Sequence, residues 1–268
     1  MIAPNNARKG GRPAGRFALC RMRHERKRNM LLFFLRHGDP IYDPDSLTEL
    51  GRRQAEALGR RLAAYGLDRI FVSTSNRAVE TARPTCELLK QSPVMADWAN
   101  EAHALDELAV PKEDGTGESW PFYMQKYVDL FLTPEMRALD MAWAAHPALR
   151  GTKLEKGIAR IQRDADAFLL SLGYAHDHAR HVYQAQRVNR ERVALFAHQG
   201  FGLAFLSAVM DIPYPQFSTH FDMAHTGMTV LHFPEREGVV VPRMLQLSND
   251  AHLYAARLPT AYQNEIPI

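Results

Sequence analysis

The chain has 268 residues, 46% of them hydrophobic, which is enough to bury a sizeable core in one large domain or two smaller ones. No apolar run approaches the ~18 residues that a membrane-spanning helix needs, so we expect no membrane association. The two cysteines, Cys20 and Cys86, give neither a metal-ligand spacing nor a disulfide framework, and they fit a reducing compartment.

The net charge of +3 conceals a strongly basic N-terminus. Residues 1–29 contain nine Lys/Arg and a single acidic residue, so they carry +8 and the remaining chain carries −5. We predict that residues 1–29 form a disordered extension, or that the true start is Met22 or Met30. A basic arm that binds nucleic acid and an arginine-rich transit peptide stay open as alternatives. Because nucleic-acid binding rests on this segment alone, we do not favour it.

Residues 31–100 alternate between apolar runs and amphipathic segments. Strands are predicted at 31–36, 69–73 and 93–96, and helices at about 49–65 and from Ser75 onward. The first helix follows a capping box of the S-x-x-E form at Ser46–Glu49 and ends at Gly66. Pro84 is expected to kink or break the second helix. This β-α-β-α-β order predicts parallel strands joined by right-handed crossovers.

The rest of the chain completes the predicted sheet. A helical insertion at about 109–190, with helices at about 119–132, 134–145 and 152–181, is expected to lie over one end of the sheet. It is followed by a strand at 192–197, a helix at about 201–210, and late strands at 228–233 and 239–247 that pair antiparallel across a turn at 235–238. We therefore predict an α/β fold of three layers, a doubly wound, mostly parallel sheet with an antiparallel edge and a helical cap insertion, within one domain spanning 30–268.

Two predicted strands end in a histidine that has a glycine beside it. Arg36-His37-Gly38 follows the first strand, and His198-Gln199-Gly200 follows the strand at 192–197. The carboxyl ends of parallel strands meet at one sheet edge, where open α/β sheets bind their ligands. Glycine also lets backbone N–H groups approach an anion. With Arg77 just beyond the second strand, two guanidinium groups and two imidazoles predict a strongly anionic ligand.

Four ordered segments make the chain resemble the histidine phosphatase superfamily, in the phosphatase-type branch of the phosphoglycerate-mutase-like fold. They are Arg36–Gly38, Leu47–Ala55 with the form L-T-x-x-G-x-x-Q-A, Ser73–Ala82 with the form S-x-x-x-R-A-x-x-T-A, and His198. The resemblance extends over residues ~31–100 and ~190–253, and it rests on the order and context of all four segments rather than on any one.

The resemblance implies a phosphomonoester hydrolase in which His37 attacks phosphorus and carries a phosphohistidine. It implies that the phosphoryl oxygens are bound, and their developing charge stabilised, by Arg36, Arg77, His198 and the backbone at Gly38. His198 therefore counts both as a catalytic and as a phosphate-binding residue. The expected ligand is a small-molecule phosphate ester, and the expected location is cytoplasmic.

The same resemblance implies a carboxylic acid that protonates the leaving group. In this family the acid lies after the third strand, often within an L-x-E segment, and Leu105–Glu107 fits that description. Glu107 is therefore the predicted general acid, and its rivals are Asp106, Glu113 and Glu118. We expect the reaction to need no metal or other cofactor, because the arginines supply the positive charge.

Two departures from the family pattern leave other functions open. Gln199 stands where the second histidine is usually followed by glycine, and Asp39-Pro40 replaces the usual Glu or Gln followed by Thr. These changes keep open a non-catalytic regulatory protein that binds phosphoesters in the same pocket. A phosphoglycerate mutase-like phosphotransferase is less favoured, because we find none of the extended segments of the mutase branch.

The remaining histidines and aromatic residues are expected to be mostly structural. Of the histidines near the late strands, His220, His225 and His252, we expect His252 to lie nearest the active edge. The aromatic residues of the insertion either line a cap over the site or belong to the core; they are Trp120, Phe122, Tyr123 and Tyr127. Because no ordered third-ligand motif accompanies His176, His178 and His181, we interpret that cluster as solvated and predict no metal site.

Overall fold

The computed structural model describes residues 29–262, so residues 1–28 of the predicted basic extension lie outside the described residues. The strands are β1 (Met30–Arg36), β2 (Pro40–Tyr42), β3 (Asp45–Leu47), β4 (Arg69–Val72), β5 (Val94–Met95), β6 (Val110–Pro111), β7 (Glu118–Ser119), β8 (Tyr174–Asp177), β9 (Val182–Ala185), β10 (Arg192–Ala197), β11 (Met228–Phe233), β12 (Glu235–Arg236), β13 (Val239–Val240) and β14 (Arg243–Asn249). Six of them form the central sheet, in the order β14-β11-β1-β10-β4-β5.

The central sheet is mostly parallel. Strands β1, β10, β4 and β5 run parallel to one another, whereas β11 is antiparallel to both β1 and β14. The mixed α/β fold with a mostly parallel sheet and antiparallel strands is therefore confirmed. Parallel strands are joined by crossovers, and helices lie in the connections from β1 to β4 and from β4 to β5.

The α-helices are α1 (Glu49–Tyr65), α2 (Asn76–Leu89), α3 (Glu101–Leu108), α4 (Gln125–Phe131), α5 (Pro134–Ala138), α6 (Leu154–Ser171), α7 (Gln199–Met210), α8 (Tyr214–His220) and α9 (Ala251–Ala255). No helix within residues 29–262 is long and apolar enough to cross a membrane.

The capping residue of α1 differs from its prediction by two positions. Thr48, not Ser46, caps the helix, and its side chain accepts a hydrogen bond from the backbone N–H of Gly51 at 2.9 Å. Ser46 instead lies in the β2–β3 hairpin, whose pairing competes with the predicted capping box. Gly66 ends the helix as predicted, in a backbone conformation (φ 72°) that favours glycine.

Pro84 does not end α2, because the helix continues to Leu89. A proline removes one backbone donor, and here the rest of the helix is supported by close packing against α1. A Cβ atom added to Gly59 of α1 would lie 3.1 Å from the backbone of Pro84. The two helices therefore approach each other closely where one has a glycine and the other a proline.

The side chains of β1 alternate between two apolar cores. Leu32 and Phe34 belong to the larger core, together with residues of α6 and α7, whereas Phe33 and Leu35 belong to a second core with residues of α1 and α2. A strand that is apolar on both faces needs cover on both faces. The apolar run of β1 thus reflects its central position in the sheet.

The insertion is less helical than predicted. Helix α6 ends at Ser171 instead of continuing to 181, because Gly173, with φ 96°, redirects the chain into the β8–β9 hairpin. Strands β8, β9, β13 and β12 form a second, four-stranded sheet. The turn predicted at 235–238 belongs to this sheet, so it does not join β11 to β14 directly.

Candidate active site

Strand register brings the two predicted histidines together. Arg36, the last residue of β1, pairs with Ala197, the last residue of β10, so His37 and His198 follow paired positions on neighbouring parallel strands. The backbone N–H of His37 also donates to the carbonyl of Ala197 at 3.0 Å. As a result the two imidazole rings lie with their centroids 5.2 Å apart.

The tautomer of His37 is set by its own loop. Nδ1 lies 2.7 Å from the carbonyl oxygen of Gly38, and a carbonyl oxygen only accepts, so Nδ1 carries the proton and Nε2 keeps its lone pair. Burial lowers the pKa of His37 well below its usual value, and the positive charges of Arg36 and Arg77 lower it further. The ring is therefore neutral at physiological pH, with Nε2 available as a nucleophile.

Arg36 is buried at the base of the site and is held by groups from the C-terminal part of the chain. Its Nη1 donates to the carbonyl oxygen of Met223, and its Nη2 donates to Nε2 of His225 at 2.9 Å. The pKa of His225 falls to about 3, mainly through burial and also through Arg36. His225 is thus a neutral acceptor that positions Arg36, a role that sequence reasoning missed.

His198 is also neutral and buried. Its Nε2 lies 2.7 Å from the hydroxyl of Ser73 and 3.2 Å from that of Ser75, and burial is the main reason why its pKa is lowered. Among residues 29–262, no protein partner is found for its buried Nδ1. If a serine donates to Nε2, the neutral ring carries its proton on Nδ1 and can donate it to a bound ligand.

Arg77 approaches the site from the start of α2. Its Nη1 donates to Oδ1 of Asp45 at 2.8 Å, and its guanidinium lies 5.5 Å from the ring centroid of Tyr42. The side chain is only 12% exposed, and its buried Nε–H has no acceptor within the described part of the chain. Asp45 therefore balances the charge of Arg77 while leaving it one donor for a ligand.

Close backbone contacts support the loop after His37. A Cβ atom on Gly38 would lie 2.7 Å from the carbonyl oxygen of Gly51, and one on Gly51 would lie 2.2 Å from that of Asp39. Gln54 accepts from the backbone N–H of Asp39 at 2.9 Å, and Thr81 accepts from that of Gly38 at 2.9 Å. Gly51 and Gln54 of the L-T-x-x-G-x-x-Q-A segment and Thr81 of the R-A-x-x-T-A segment thus hold this loop in place.

Besides Asp45, which pairs with Arg77, the carboxyl group of Glu101 reaches the site. This residue begins α3 and accepts backbone N–H bonds from Gly200 at 3.0 Å and Phe201 at 2.9 Å. Burial raises the pKa of Glu101, while these hydrogen bonds and the charges of Arg77 and Arg36 oppose the rise. The sequence does contain a signal for this position. Asn100 is a residue type that caps helices, it follows β5 closely, and Glu101 is the next residue and begins α3.

Glu107 lies near the other end of α3, away from the N-terminal position of Glu101. Its carboxylate accepts a hydrogen bond from Nε of Arg160, which also donates to Asp164 at 3.0 Å. Of the rivals, Asp106 pairs with Lys153 at 3.0 Å. The residues that line the cavity beside His37 include Glu101 but neither Glu107 nor Asp106.

The cavity beside His37 has a volume of about 540 Å³. It is lined by His37, Tyr42, Asp45, Thr74, Ser75, Asn76, Arg77, Asn100, Glu101, Ala102, Leu105, Trp120 and Gln199. The lining therefore combines charged and polar side chains with apolar surface from Tyr42, Leu105 and Trp120. A cavity of this size accommodates a small phosphate ester.

Gln199 is held in place from both ends of its amide. Its Oε1 accepts from the hydroxyl of Tyr123 at 2.8 Å, and its Nε2 donates to Asp222. Trp120 packs over the next residue, since a Cβ atom on Gly200 would lie 2.2 Å from the indole ring. The aromatic residues of the insertion thus divide: Trp120 and Tyr123 contact the site, whereas Tyr127 lies in the main core.

Comparison with known proteins agrees with the fold. Residues 32–111 match the family model of the histidine phosphatase superfamily (branch 1), and no curated protein sequence matches the chain significantly. Mycobacterial glucosyl-3-phosphoglycerate phosphatase, solved with VO3, is 21% identical with a TM-score of 0.52, over 81% of this chain and 98% of that one. Phosphoserine phosphatase from Entamoeba histolytica, solved as a mutant with phosphoserine, is 16% identical with a TM-score of 0.53, over 84% of this chain and 99% of that one. The family-model match over residues 32–111 and the fold shared with these phosphatases thus bear out the resemblance of the chain to the histidine phosphatase superfamily.

Proposed function

We propose that the protein is a cytoplasmic phosphomonoester hydrolase that forms a phosphohistidine on His37. The observation that carries this proposal is the 2.7 Å contact between Nδ1 of His37 and the carbonyl of Gly38, because it leaves Nε2 unprotonated. A neutral imidazole nitrogen is a competent nucleophile toward phosphorus, and a covalent intermediate divides one difficult step into two easier ones.

Arg36, Arg77 and His198 supply the complementary positive potential. The predicted contribution of the backbone at Gly38 is not retained, because the N–H groups of Gly38 and Asp39 already donate to Thr81 and Gln54. Three features support this assignment: the immobilised guanidinium of Arg36, the Nε–H of Arg77 that lacks a protein acceptor among residues 29–262, and the similarly unpartnered Nδ1 of His198. Preorganised donors of this kind stabilise charge as it builds on phosphoryl oxygens.

We assign the proton-donor role to Glu101 instead of Glu107. Glu101 lines the cavity, and burial raises its pKa, whereas the carboxylate of Glu107 is occupied by Arg160. A bound phosphate dianion adds negative charge to the cavity, which raises the pKa of Glu101 further and favours its acid form.

The proposed reaction then proceeds in two balanced steps. Nε2 of His37 forms a bond to phosphorus as the ester P–O bond breaks, and the departing alkoxide takes the proton of Glu101. The Glu101 carboxylate next removes a proton from water, whose oxygen attacks phosphorus as the P–N bond breaks. This second step restores neutral His37 and protonated Glu101 and releases inorganic phosphate.

The charges of the cavity favour esters of uncharged or cationic alcohols. With Glu101 protonated, Arg36 and Arg77 contribute two positive charges to the cavity and Asp45 contributes one negative charge. The two negative charges of a phosphate dianion already exceed the positive charge that remains. No lysine and no arginine other than Arg77 lines the cavity within the described residues. An additional carboxylate or phosphate on the leaving group would therefore be poorly matched, which also argues against a phosphoglycerate mutase-like role.

Replacement of His37 by alanine tests the proposal. Wild-type protein should hydrolyse an aryl phosphate and yield, on quenching with labelled substrate, an acid-labile and base-stable phosphoenzyme; His37→Ala should give neither product nor phosphoenzyme. Its fold, checked by circular dichroism, should be unchanged. Turnover by His37→Ala at a near-normal rate would refute the mechanism.

A second candidate, a phosphoester-binding protein without turnover, is supported by the pairing of Arg77 with Asp45 and by the Gln199 side chain beside the nucleophile. It predicts that the wild-type protein binds orthophosphate and phosphate esters yet leaves the esters intact at high protein concentration. Hydrolysis that disappears in His37→Ala would eliminate this candidate.

A further inference from the structure

The described chain contains a second cluster of polar side chains, remote from the candidate active site. It joins Asp166 of α6 to His176 of β8 and to His178, which immediately follows β8. Asp211, directly after α7, contacts the same cluster, whereas His198 directly precedes α7. Since α7 has 12 residues and a helix rises about 1.5 Å per residue, the cluster lies roughly 18 Å from His198 along that axis.

The cluster is partly buried, which differs from the solvated arrangement predicted for it. The side chain of His176 is 1% exposed, and its ring stacks on that of Tyr183 at 4.1 Å. The side chain of Asp211 is 9% exposed, whereas that of His178 is 55% exposed. The hairpin, which the sequence did not predict, is what turns His176 inward and leaves His178 at an opening to solvent.

Both histidines of this cluster contact the same carboxylate. Oδ1 of Asp166 lies 2.8 Å from Nδ1 of His176, and Oδ2 of Asp166 lies 2.9 Å from Nε2 of His178. Each contact is a hydrogen bond if the ring nitrogen carries a proton. If the nitrogen presents its lone pair instead, a metal ion is needed to hold it beside the carboxylate.

Asp211 would support the second possibility. Its Oδ2 lies 2.9 Å from Nε2 of His176, so a neutral ring that donates its Nε2–H to Asp211 would direct the Nδ1 lone pair toward Asp166. A carboxylate that accepts the distal N–H of a histidine is the usual support of metal-binding histidines, because it fixes the tautomer and raises the basicity of the ligand nitrogen. His176 thus has both a partner on one nitrogen and a carboxylate ligand facing the other.

We propose that Asp166, His176 and His178 bind a divalent transition metal of the Zn²⁺ class. One ligand atom from each residue lies within 4.8 Å of the other two, and bond lengths of about 2.1 Å would place tetrahedral ligands roughly 3.4 Å apart. Two imidazoles and one carboxylate suit zinc, with water as the fourth ligand. The ion would attach the β8–β9 hairpin to α6, and it takes no part in the proposed hydrolysis.

Zinc titration of the tag-free, full-length protein tests this site after chelator treatment and dialysis. Wild-type protein should bind one Zn²⁺ per chain, measured by calorimetry and by metal analysis after gel filtration, and zinc should raise its Tm by several degrees. The cobalt-loaded protein should show the visible absorption of a tetrahedral site. His178→Gln and Asp166→Asn should each weaken zinc binding at least tenfold and abolish the Tm shift.

Two controls separate this site from other histidines. His103→Gln alters an exposed histidine that pairs with one carboxylate, Asp97, at 3.1 Å, and it should bind zinc as the wild type does. His37→Ala should also keep the full stoichiometry, because the proposed metal site is independent of the active site. His178→Gln should fold normally, since this side chain is largely exposed.

Three outcomes would overturn the proposal. The wild-type protein could bind no zinc at submillimolar concentration, which would make the cluster an ion pair only. His178→Gln could bind zinc with unchanged affinity, which would place the metal elsewhere. His37→Ala could lose the zinc, which would assign it to the active site.

Discussion

The assignment of the general acid to Glu101 makes a sharp prediction, because α3 carries two glutamates that differ in their surroundings. Glu101→Gln removes the proton but keeps the size of the side chain and one acceptor oxygen for the N-terminus of α7. A positioned general acid contributes about 10²–10⁴-fold in rate, which corresponds to about 3–5 kcal/mol of transition-state stabilisation. We therefore expect kcat/KM for an alkyl phosphate to fall by about that factor.

Glu107→Gln is the matched control. It removes one carboxylate partner of Arg160, which keeps Asp164 at 3.0 Å, so we expect about 1–3 kcal/mol of lost stability and nearly unchanged kcat/KM. For a chain of this size the stability loss lowers Tm by about 2–4 °C per kcal/mol. The two variants thus separate a chemical effect from a structural one.

The leaving group provides the assay that identifies the defect. The p-nitrophenolate ion departs with little help from an acid, so Glu101→Gln should lose much less kcat/KM on p-nitrophenyl phosphate than on an alkyl phosphate. Since the variant also lacks the base for the second step, rapid mixing should show a burst of p-nitrophenol equal to the enzyme concentration. Full activity in Glu101→Gln, with turnover lost in Glu107→Gln, would show that the reasoning is wrong.

Three further predictions concern charge, pH and backbone packing. Asp45→Asn should tighten orthophosphate binding about fivefold in calorimetry, because removing a partly exposed ion-pair partner of Arg77 changes the free energy by about 1 kcal/mol; unchanged affinity would contradict this. Burial, with the charge of Arg61, lowers the pKa of His252 to about 4 against the opposing charge of Asp250. The unfolded chain therefore takes up a proton that the folded chain rejects, and the free energy of unfolding falls by up to about 1.4 kcal/mol per pH unit below pH 6.5; His252→Gln should reduce this slope in urea titrations at pH 7 and 5. Gly51→Ala should displace the loop after His37 and lower the free energy of unfolding by about 1–3 kcal/mol. It should also lower kcat by more than the fall in Tm explains. A normal kcat would count against the proposed role of this contact.

The parts of the fold that local patterns specify were predictable. The run Leu31–Leu35 is apolar on both faces of the strand, and β1 is indeed central in the sheet. The 3.6-residue periodicity of α1 and its terminal Gly66 gave both the helix and its end. These signals depend on neighbours along the chain, so they are visible without tertiary contacts.

The insertion shows where such patterns fail. Leu154 to Leu172 has helical spacing, but Gly173 then adopts a positive φ and Tyr174 and Tyr183 become buried on opposite strands of a hairpin. A single glycine between Leu172 and Tyr174 does not reveal that a strand follows. The core that buries the two tyrosines comes from distant segments, including Phe233 of β11.

The candidate site was predictable to the extent that each residue ends an element of the sheet. His37, Arg77 and His198 follow strands or begin a helix, so the topology alone places them at one edge. The L-x-E pattern predicted Glu107 as the carboxylic acid of the site, so Glu101 was not considered. Both residues are glutamates, and residue type alone therefore does not distinguish them. Only the packing of α3 against α7 decides which glutamate faces the cavity.

His225 shows why the positioning groups of such a site are harder to identify than its ligand-binding groups. It lies 189 positions from Arg36 in sequence, and it reaches the arginine because the backbone N–H of the next residue, Thr226, donates to the carbonyl of His37 at 3.1 Å. Since an arginine side chain has several rotatable bonds, an acceptor that fixes it before the ligand arrives reduces the entropy lost on binding. A neutral imidazole and a carbonyl oxygen fix the position of Arg36, whereas Arg77 pairs with the carboxylate of Asp45. Under the proposed function the two arginines would therefore contribute differently: Arg36 would supply a guanidinium that is positioned before the phosphoryl group binds, and Arg77 would supply a donor whose charge Asp45 already partly balances.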